Sequence, residues 1–284
     1  MKTAVTDVWT IQRLLLWTSD FFTRKGIDSP RLTADLLLAH ALGVDRVRLY
    51  VEFDRPIDEG ERVRFRELVQ RRAAREPTHY LTGSRVFFGR PFSVDARVLI
   101  PRPETEHLVE AALACLPSPG SEGDEVAVLD LCTGSGCLGL TLLAERPDVV
   151  LVATDLSLGA LDVARHNARS IGVEARVEFL EGDLFAPVPT DRRFDLVVSN
   201  PPYVPRAQIA KLSPEVQREP AMALDGGEAG LDLLKAIVEQ APAFLKPGAT
   251  LCLEIGEDQG AALLALLASA GFEAPAIERD FAGL

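Results

Sequence analysis

Leu129-Asp130-Leu131-Cys132-Thr133-Gly134-Ser135-Gly136 ends a short apolar run, Val126–Leu131, in a glycine-bearing turn. The pattern reads as a strand that turns directly into a helix starting at Gly136. Glycines there let the backbone come close to a ligand, and the helix start offers free N–H groups. Downstream the same alternation repeats. Val149–Ala153 reads as a strand, and Ser157–Ile171 as a helix with Gly172 after it. Arg176–Leu180 and Phe194–Ser199 are strands, and Gly230–Leu245 is a helical stretch disturbed by Pro242. Ala249–Ile255 is a strand and Gln259–Ala270 a helix. Nearly continuous apolar strands alternating with helices mean a parallel sheet covered on both faces. The expected fold class is α/β, a Rossmann-like, mostly parallel, doubly wound sheet.

Two acidic residues sit where such a sheet binds ligands, outside the carboxyl ends of its strands. Asp155, after the second strand, is placed to accept both hydroxyls of a ribose. Asp183, after the third, is placed to meet an adenine edge. These features alone leave two readings open. Gly134, Gly136 and Gly139 also satisfy the G-x-G-x-x-G dinucleotide fingerprint, with Asp155 near its acidic position. A nicotinamide-dependent oxidoreductase therefore stands beside other nucleoside-cofactor enzymes, and a glycine turn without ligand stands beside both.

Asn200-Pro201-Pro202-Tyr203 follows the fourth strand directly. Two prolines make a stiff loop at the catalytic edge, with the Asn200 amide aimed into the crevice. Hydride transfer has no use for this group, whereas methyl transfer to a planar NH2 does. Such a nitrogen has its lone pair delocalised and is a poor nucleophile. The Asn200 side-chain oxygen and the Pro201 carbonyl can accept its two N–H bonds. That would hold it in line with the methyl group and favour the developing positive charge. Tyr203 can pack its ring on the flat target.

Before the sheet, residues 1–80 read as a helical domain. Val8–Phe22 has apolar residues at helical spacing. Asp28-Ser29-Pro30 starts a second helix, with Ser29 as its cap and Gly43 as its end. Asp58–Glu76 is a third, with Val63, Leu68 and Val69 on its thin apolar side and Pro77 beyond. Residues 81–100 form a β-hairpin linker around Gly89, and 101–284 the sheet domain, opened by a helix from Glu104 to Leu116. Pro117–Asp124 is a polar loop.

The net charge of −12 is unevenly spread. Residues 1–90 carry 16 basic against 12 acidic side chains, and residues 91–284 carry 14 against 30. An acidic catalytic part is a poor grip for a phosphate backbone, which argues against direct nucleic-acid binding. Cys115, Cys132, Cys137 and Cys252 form no C-x-x-C pair and read as reduced thiols. The four scattered histidines give no H-E-x-x-H, so no metal is expected. Lys2, Asp7 and Arg13 do not make a secretory signal, and no uncharged apolar run is long enough for a membrane span. A cytoplasmic monomer without membrane contact is expected.

Asn200-Pro201-Pro202-Tyr203 resembles the methyltransferases that act on exocyclic adenine amines or glutamine amides. Further residues narrow the resemblance: Tyr80-Leu81-Thr82-Gly83, Val98 to Glu106, Glu219-Pro220, Gly226-Gly227, Gly230-Leu231 and Glu254-Ile255-Gly256. Together these look like the release-factor glutamine N5-methyltransferases, the PrmC or HemK family. The resemblance implies S-adenosyl-L-methionine as cofactor and S-adenosyl-L-homocysteine as product. Its implied target is the glutamine of the Gly-Gly-Gln loop of peptide-chain release factors, held with the help of the N-terminal domain. It places Cys132, Thr133, Gly134, Ser135, Gly136, Asp155, Asp183, Leu184 and Asn200 at the cofactor, and Asn200, Pro201, Pro202 and Tyr203 at the substrate glutamine. Ribosomal-protein glutamine methylation and adenine-N6 DNA methylation are the neighbouring alternatives, and a non-catalytic cofactor-binding scaffold a third. Three departures stand out. Cys132 replaces a usual glycine, Leu184 replaces a frequent aromatic, and the chain stops at Phe281–Leu284 where the family continues into a last strand.

Overall fold

The computed structural model describes residues 8–118 and 125–279. The expectations that fall on Lys2, Asp7, most of the 117–124 loop and Phe281–Leu284 lie outside the described residues. The chain divides into two compact units, one of residues 1–83 with 214–218 and one of residues 84–213 with 219–284.

The first unit is helical. It contains α1 (Ile11–Arg24), α2 (Pro30–Leu42), α3 (Arg46–Val51), α4 (Glu59–Ala73) and α5 (Thr78–Thr82). Leu15, Phe22, Leu37, Leu38, Leu49 and Phe65 fill its core. Thr10 caps α1 by accepting the Arg13 N–H, and Asp58 and Glu61 form a reciprocal capping box on α4. Three local expectations are corrected. Ser29 does not cap α2 with its hydroxyl: its φ of 45° is left-handed, not the extended conformation that aims a side chain at the helix start. Val63 is 40% exposed, and Phe65 takes the inward position beside Leu68 and Val69. Helix α4 ends at Ala73, before Pro77 is reached. The segment 214–218 joins this unit through ion pairs. Glu215 Oε1 accepts from Arg72 Nη1 at 2.8 Å and Arg75 Nη1 at 3.1 Å. The Arg72 side chain is only 5% exposed, so Glu215 offsets a charge that water barely reaches.

The second unit opens with a hairpin, β1 (Ser84–Phe87) and β2 (Arg90–Ser93), closed by Phe88 and Gly89 at φ 47° and 74°. Positive φ at both turn residues matches the right-handed twist of the paired strands. Phe87 and Phe92 from this hairpin are buried in the unit's main core. Next come α6 (Glu104–Cys115), β3 (Val126–Leu131), α7 (Cys137–Glu145), β4 (Val149–Asp155) and α8 (Leu158–Ile171). Then follow β5 (Val177–Glu181), β6 (Phe194–Ser199), the single turn α9 (Arg206–Ile209), α10 (Asp232–Gln240), β7 (Leu245–Leu253) and α11 (Gly260–Ser269).

The five strands lie in the order β5-β4-β3-β6-β7, every neighbouring pair parallel. Side chains of a strand alternate between faces. Val128, Leu151, Leu196 and Val198 therefore pack with α6 and α7 residues on one face. Leu129, Leu131, Val152 and Val197 pack with Phe185, Ile237 and Phe244 on the other. Both faces are covered, as the apolar strands required. The chain runs from β3 outward through β4 and β5, then returns to place β6 on β3's other side. This reversal opens a crevice at the carboxyl ends of β3 and β6, the place where open α/β sheets bind ligands. Strand β7 begins at Leu245, four residues before the expected start. Leu245 pairs with Phe194, and a register shift between Phe194 and Leu196 absorbs the intervening Lys246-Pro247-Gly248.

Candidate functional site

A cavity of about 410 Å³ lies in that crevice, wholly within the second unit. Cys132, Thr133, Gly134, Ser135, Asp155, Asp183, Leu184, Asn200 and Pro202 line it. Gly136, Pro201 and Tyr203 are not among the lining residues. Gly136 caps α7 at φ 82°, and a β-carbon there would stand 2.6 Å from Leu140 Cδ1. Its place is in the turn. Tyr203 packs beside Leu234, Val238 and Leu263, and its hydroxyl donates to Glu254 Oε1 at 3.1 Å.

The glycine loop is held by hydrogen bonds donated to two carboxylates, the buried Asp130 and the half-buried Asp155. Asp130 Oδ2 accepts the Thr133 hydroxyl at 2.6 Å and the Gly139 N–H at 3.1 Å. Burial pushes the Asp130 carboxyl up to about 7, against the pull of those two donors, and the neighbouring Asp155 charge adds to the rise. Asp155 Oδ2 accepts the Gly134 N–H and its Oδ1 the Ser157 N–H, both at 2.9 Å. Its pKa is also raised by burial, with the Ser157, Gly134 and Leu156 amides opposing. Each carboxylate oxygen has a second lone pair, so Asp155 keeps capacity for two hydroxyls of a ligand.

Cys132 has φ 56° and Leu184 φ 48°. Both are left-handed conformations that glycine adopts without strain. The backbone at Cys132 is thus one that favours glycine. Burial, with the Asp155 and Asp130 charges behind it, holds the Cys132 thiol far above its ordinary range, so it is a protonated, unreactive group.

The opposite wall comes from residues that bear no glycine-loop signature. Glu219 is buried, and its two oxygens accept the Ile100 N–H at 3.0 Å and Arg102 Nη2 at 2.6 Å. That pair fastens the Val98–Arg102 strip to the Pro220–Ala223 strip, and both strips line the cavity. At the mouth of β6, Asn200 Nδ2 donates to Thr105 Oγ1 at 3.1 Å, and Thr105 Oγ1 donates to Glu254 Oε2 at 2.7 Å. Arg102, Thr105, Asp130, Glu219 and Glu254 carried no assigned role in the sequence reading. Four of them stand inside the stretches that carried the family resemblance, which was the signal available.

The residues present fit S-adenosylmethionine. Apart from its chain neighbours, the β-carbon that Gly134 lacks would meet no protein atom nearer than 4.0 Å, and Gly134 lines the cavity. Ser135 Oγ is buried at the cavity wall without a protein partner. Asp130, Asp155 and Asp183 suit a ligand that carries both cationic groups and ribose hydroxyls, while Leu138, Leu156 and Leu184 offer apolar surface.

Comparison with known proteins agrees. Residues 13–83 match the family model described as PrmC N-terminal domain, and residues 109–217 that of the methyltransferase small domain. A release factor glutamine methyltransferase of Geobacter sulfurreducens is 45% identical, with 94% of this chain and 91% of that relative covered. Another, of Cereibacter sphaeroides, is 46% identical, with 91% and 90% covered. The chain belongs to the release factor glutamine methyltransferase family. As a member of that family it is an S-adenosylmethionine-dependent methyltransferase. Among solved structures, the hMettl16 catalytic domain in complex with MAT2A 3'UTR hairpin 6 has a TM-score of 0.52 at 17% identity. It covers 72% of this chain and 74% of its own, a likeness of fold. No helix among the described residues is long and apolar enough to cross a membrane.

Proposed function

We propose that the protein transfers a methyl group from S-adenosyl-L-methionine to the N5 side-chain nitrogen of a release-factor glutamine, the one in the Gly-Gly-Gln motif. The observation that carries this reading is Asn200 on the wall of the cavity, beside the glycine loop and the carboxylates. Bound S-adenosylmethionine supplies an electrophilic methyl group. The protein's task is then to hold a weakly nucleophilic amide nitrogen in line with it. Asn200 Oδ1 and the Pro201 carbonyl accept the two amide N–H bonds, and Pro202 stiffens the loop that carries them. Positioning of this kind accounts for much of the barrier reduction in two-substrate reactions. The nitrogen becomes acidic once methylated, so no strong base is required beside it. Asp155 holds the ribose and Asp183 with Leu184 the adenine. The first unit takes part in holding the release factor. The reaction takes place in the cytoplasm, on a protein, and the enzyme works as a monomer.

The test is transfer of label from radiolabelled S-adenosylmethionine. Purified release factor, the same factor with its Gly-Gly-Gln glutamine replaced, ribosomal proteins and duplex DNA are offered in parallel. Label on the intact factor alone is the expected result. Label on the replaced factor, a ribosomal protein or DNA would overturn the assignment of substrate.

A further inference from the structure

We propose that Thr105 and Glu254 are positioning residues that fix which way round the Asn200 side-chain amide stands, turning its oxygen toward the acceptor nitrogen. The inference rests on the amide-methylation reading above and extends it to two residues with no role there. They come from separate elements. Thr105 is in the first turn of α6, Glu254 follows β7, and Asn200 follows β6. Thr105 Oγ1 is 2.7 Å from Glu254 Oε2 and 3.1 Å from Asn200 Nδ2. Tyr203 donates its hydroxyl to the other oxygen, Glu254 Oε1, at 3.1 Å.

The order of donors follows from what each group can do. An ionised carboxylate only accepts, and a threonine hydroxyl has one proton and two lone pairs. The Thr105 proton is committed to Glu254, so Thr105 can only accept from Asn200. The edge of Asn200 that faces Thr105 must therefore be its NH2. The amide is planar, so its oxygen stands on the opposite edge. Were the amide reversed, its oxygen would face a hydroxyl oxygen whose proton is already used. Thr105 is 1% exposed, so on that edge the half-buried Asn200 meets the Thr105 oxygen and not solvent. An unpaired buried acceptor of this kind disfavours the reversed state by roughly 10- to 100-fold.

Orientation matters because the two edges do opposite chemistry. The acceptor nitrogen carries N–H bonds and needs an oxygen to receive them. A reversed Asn200 would present N–H to N–H and push the glutamine amide out of line. Glu254 and Thr105 thus act on the reaction through Asn200 and need not touch the substrate.

Three variants test this: Thr105→Val, which keeps the branched shape without the hydroxyl, Thr105→Ser, which keeps the hydroxyl, and Glu254→Gln, which keeps the volume. Turnover on release factor, calorimetric affinity for S-adenosylmethionine and the NMR signal of the Asn200 side-chain amide are read for each. Thr105→Val is expected to lower kcat by about 10- to 100-fold while the cofactor Kd stays within about 3-fold. Thr105→Ser should return kcat to within about 3-fold of the parent. Glu254→Gln can offer its own N–H to Thr105, freeing the hydroxyl proton to turn toward Asn200, so its kcat should also fall. The downfield shift of one Asn200 amide proton, present in the parent and in Thr105→Ser, should vanish in Thr105→Val. Full turnover in Thr105→Val, no rescue by Thr105→Ser, or a fall in kcat matched by an equal loss of cofactor affinity would each overturn the proposal. Should Thr105→Val fail to fold, Glu254→Gln carries the same readouts. If the parent protein labels no release factor, the substrate reading falls instead, and the Asn200 amide signal still decides the orientation.

Discussion

Gly139 of α7 stands against Asp130 of β3 so closely that a β-carbon on it would lie 2.7 Å from Asp130 Oδ2 and 2.7 Å from Leu151 Cδ2. The Gly139 N–H donates to that same oxygen at 3.1 Å. The absence of a side chain therefore sets how near the helix comes to the sheet, and with it the shape of the glycine loop. Gly139→Ala brings two opposing effects. Alanine gains about 1 kcal/mol of helix propensity over glycine. Overpacking against a carboxylate and a leucine in a close-packed core loses about 1–3 kcal/mol. Net destabilisation of up to about 2 kcal/mol is expected in urea unfolding, together with weaker cofactor binding. A variant as stable as the parent would show that the contact relaxes freely.

The raised pKa of Asp130 has a definite sign in stability. Its folded-state value is lifted from 3.8 to about 7, chiefly by burial. The stability this group contributes is fully present below the unfolded value. It is lost as pH climbs through about 7, because the folded state then holds an ionised buried carboxylate. The loss is at most about 4 kcal/mol. Thermal unfolding of the apo-protein at a series of pH values should show this fall, and Asp130→Asn should flatten it. A cationic ligand in the cavity favours the ionised form, so cofactor binding should release protons below pH 7. Calorimetry in two buffers of different ionisation enthalpy reads that release directly, and no difference between buffers would contradict it.

The sheet was legible because β3, β4 and β6 alternate their apolar residues between two covered faces, a pattern that survives in one sequence. Helices α3 and α5, of six and five residues, are too short to show a period. The start of β7 was hidden because Lys246-Pro247-Gly248 reads as a turn, and only pairing with Phe194 draws it into the sheet. The glycine loop, Asp155 and Asn200 announced themselves by lying at successive strand ends. Thr105 and Glu254 did not, since their hydrogen bond joins residues 149 positions apart and leaves no local trace. The strain at Cys132 was not legible either, since its φ of 56° is a backbone property that the sequence does not print.

Asp155 does two things at once, and substitutions separate them. It fastens the Gly134 and Ser157 amides at 2.9 Å each, and on the proposed reading its remaining lone pairs serve a ribose in the cavity that it lines. Asp155→Ala removes both and should weaken S-adenosylmethionine binding by about 1–3 kcal/mol. Asp155→Asn keeps one oxygen for the loop while halving the acceptors offered to a ribose, and should fall between. Calorimetric titration that finds Asp155→Ala unchanged would remove Asp155 from the cofactor site.

On the proposed mechanism Asn200 holds the acceptor nitrogen, and its variants should lose rate without losing cofactor. Asn200→Ala removes the oxygen that holds the acceptor N–H, an interaction that strengthens as positive charge develops on the nitrogen. Loss of one such preorganised group lowers kcat by about 10²–10³-fold. Asn200→Asp keeps an acceptor but gives up the N–H that Thr105 receives, and it sets a second carboxylate near Glu254. Burial already raises the Glu254 pKa, with the Thr105 and Tyr203 hydrogen bonds opposing and the Glu104 charge adding. A further negative charge would push one of the pair to hold a proton. Asn200→Asp should therefore lose turnover nearly as completely as Asn200→Ala at neutral pH. Cofactor affinity should stay within about 3-fold in both, since neither removes a group that fastens the glycine loop. Single-turnover rates with saturating cofactor, set beside calorimetric affinities, separate the two quantities. Parent-like turnover in Asn200→Ala would place the acceptor nitrogen elsewhere in the cavity.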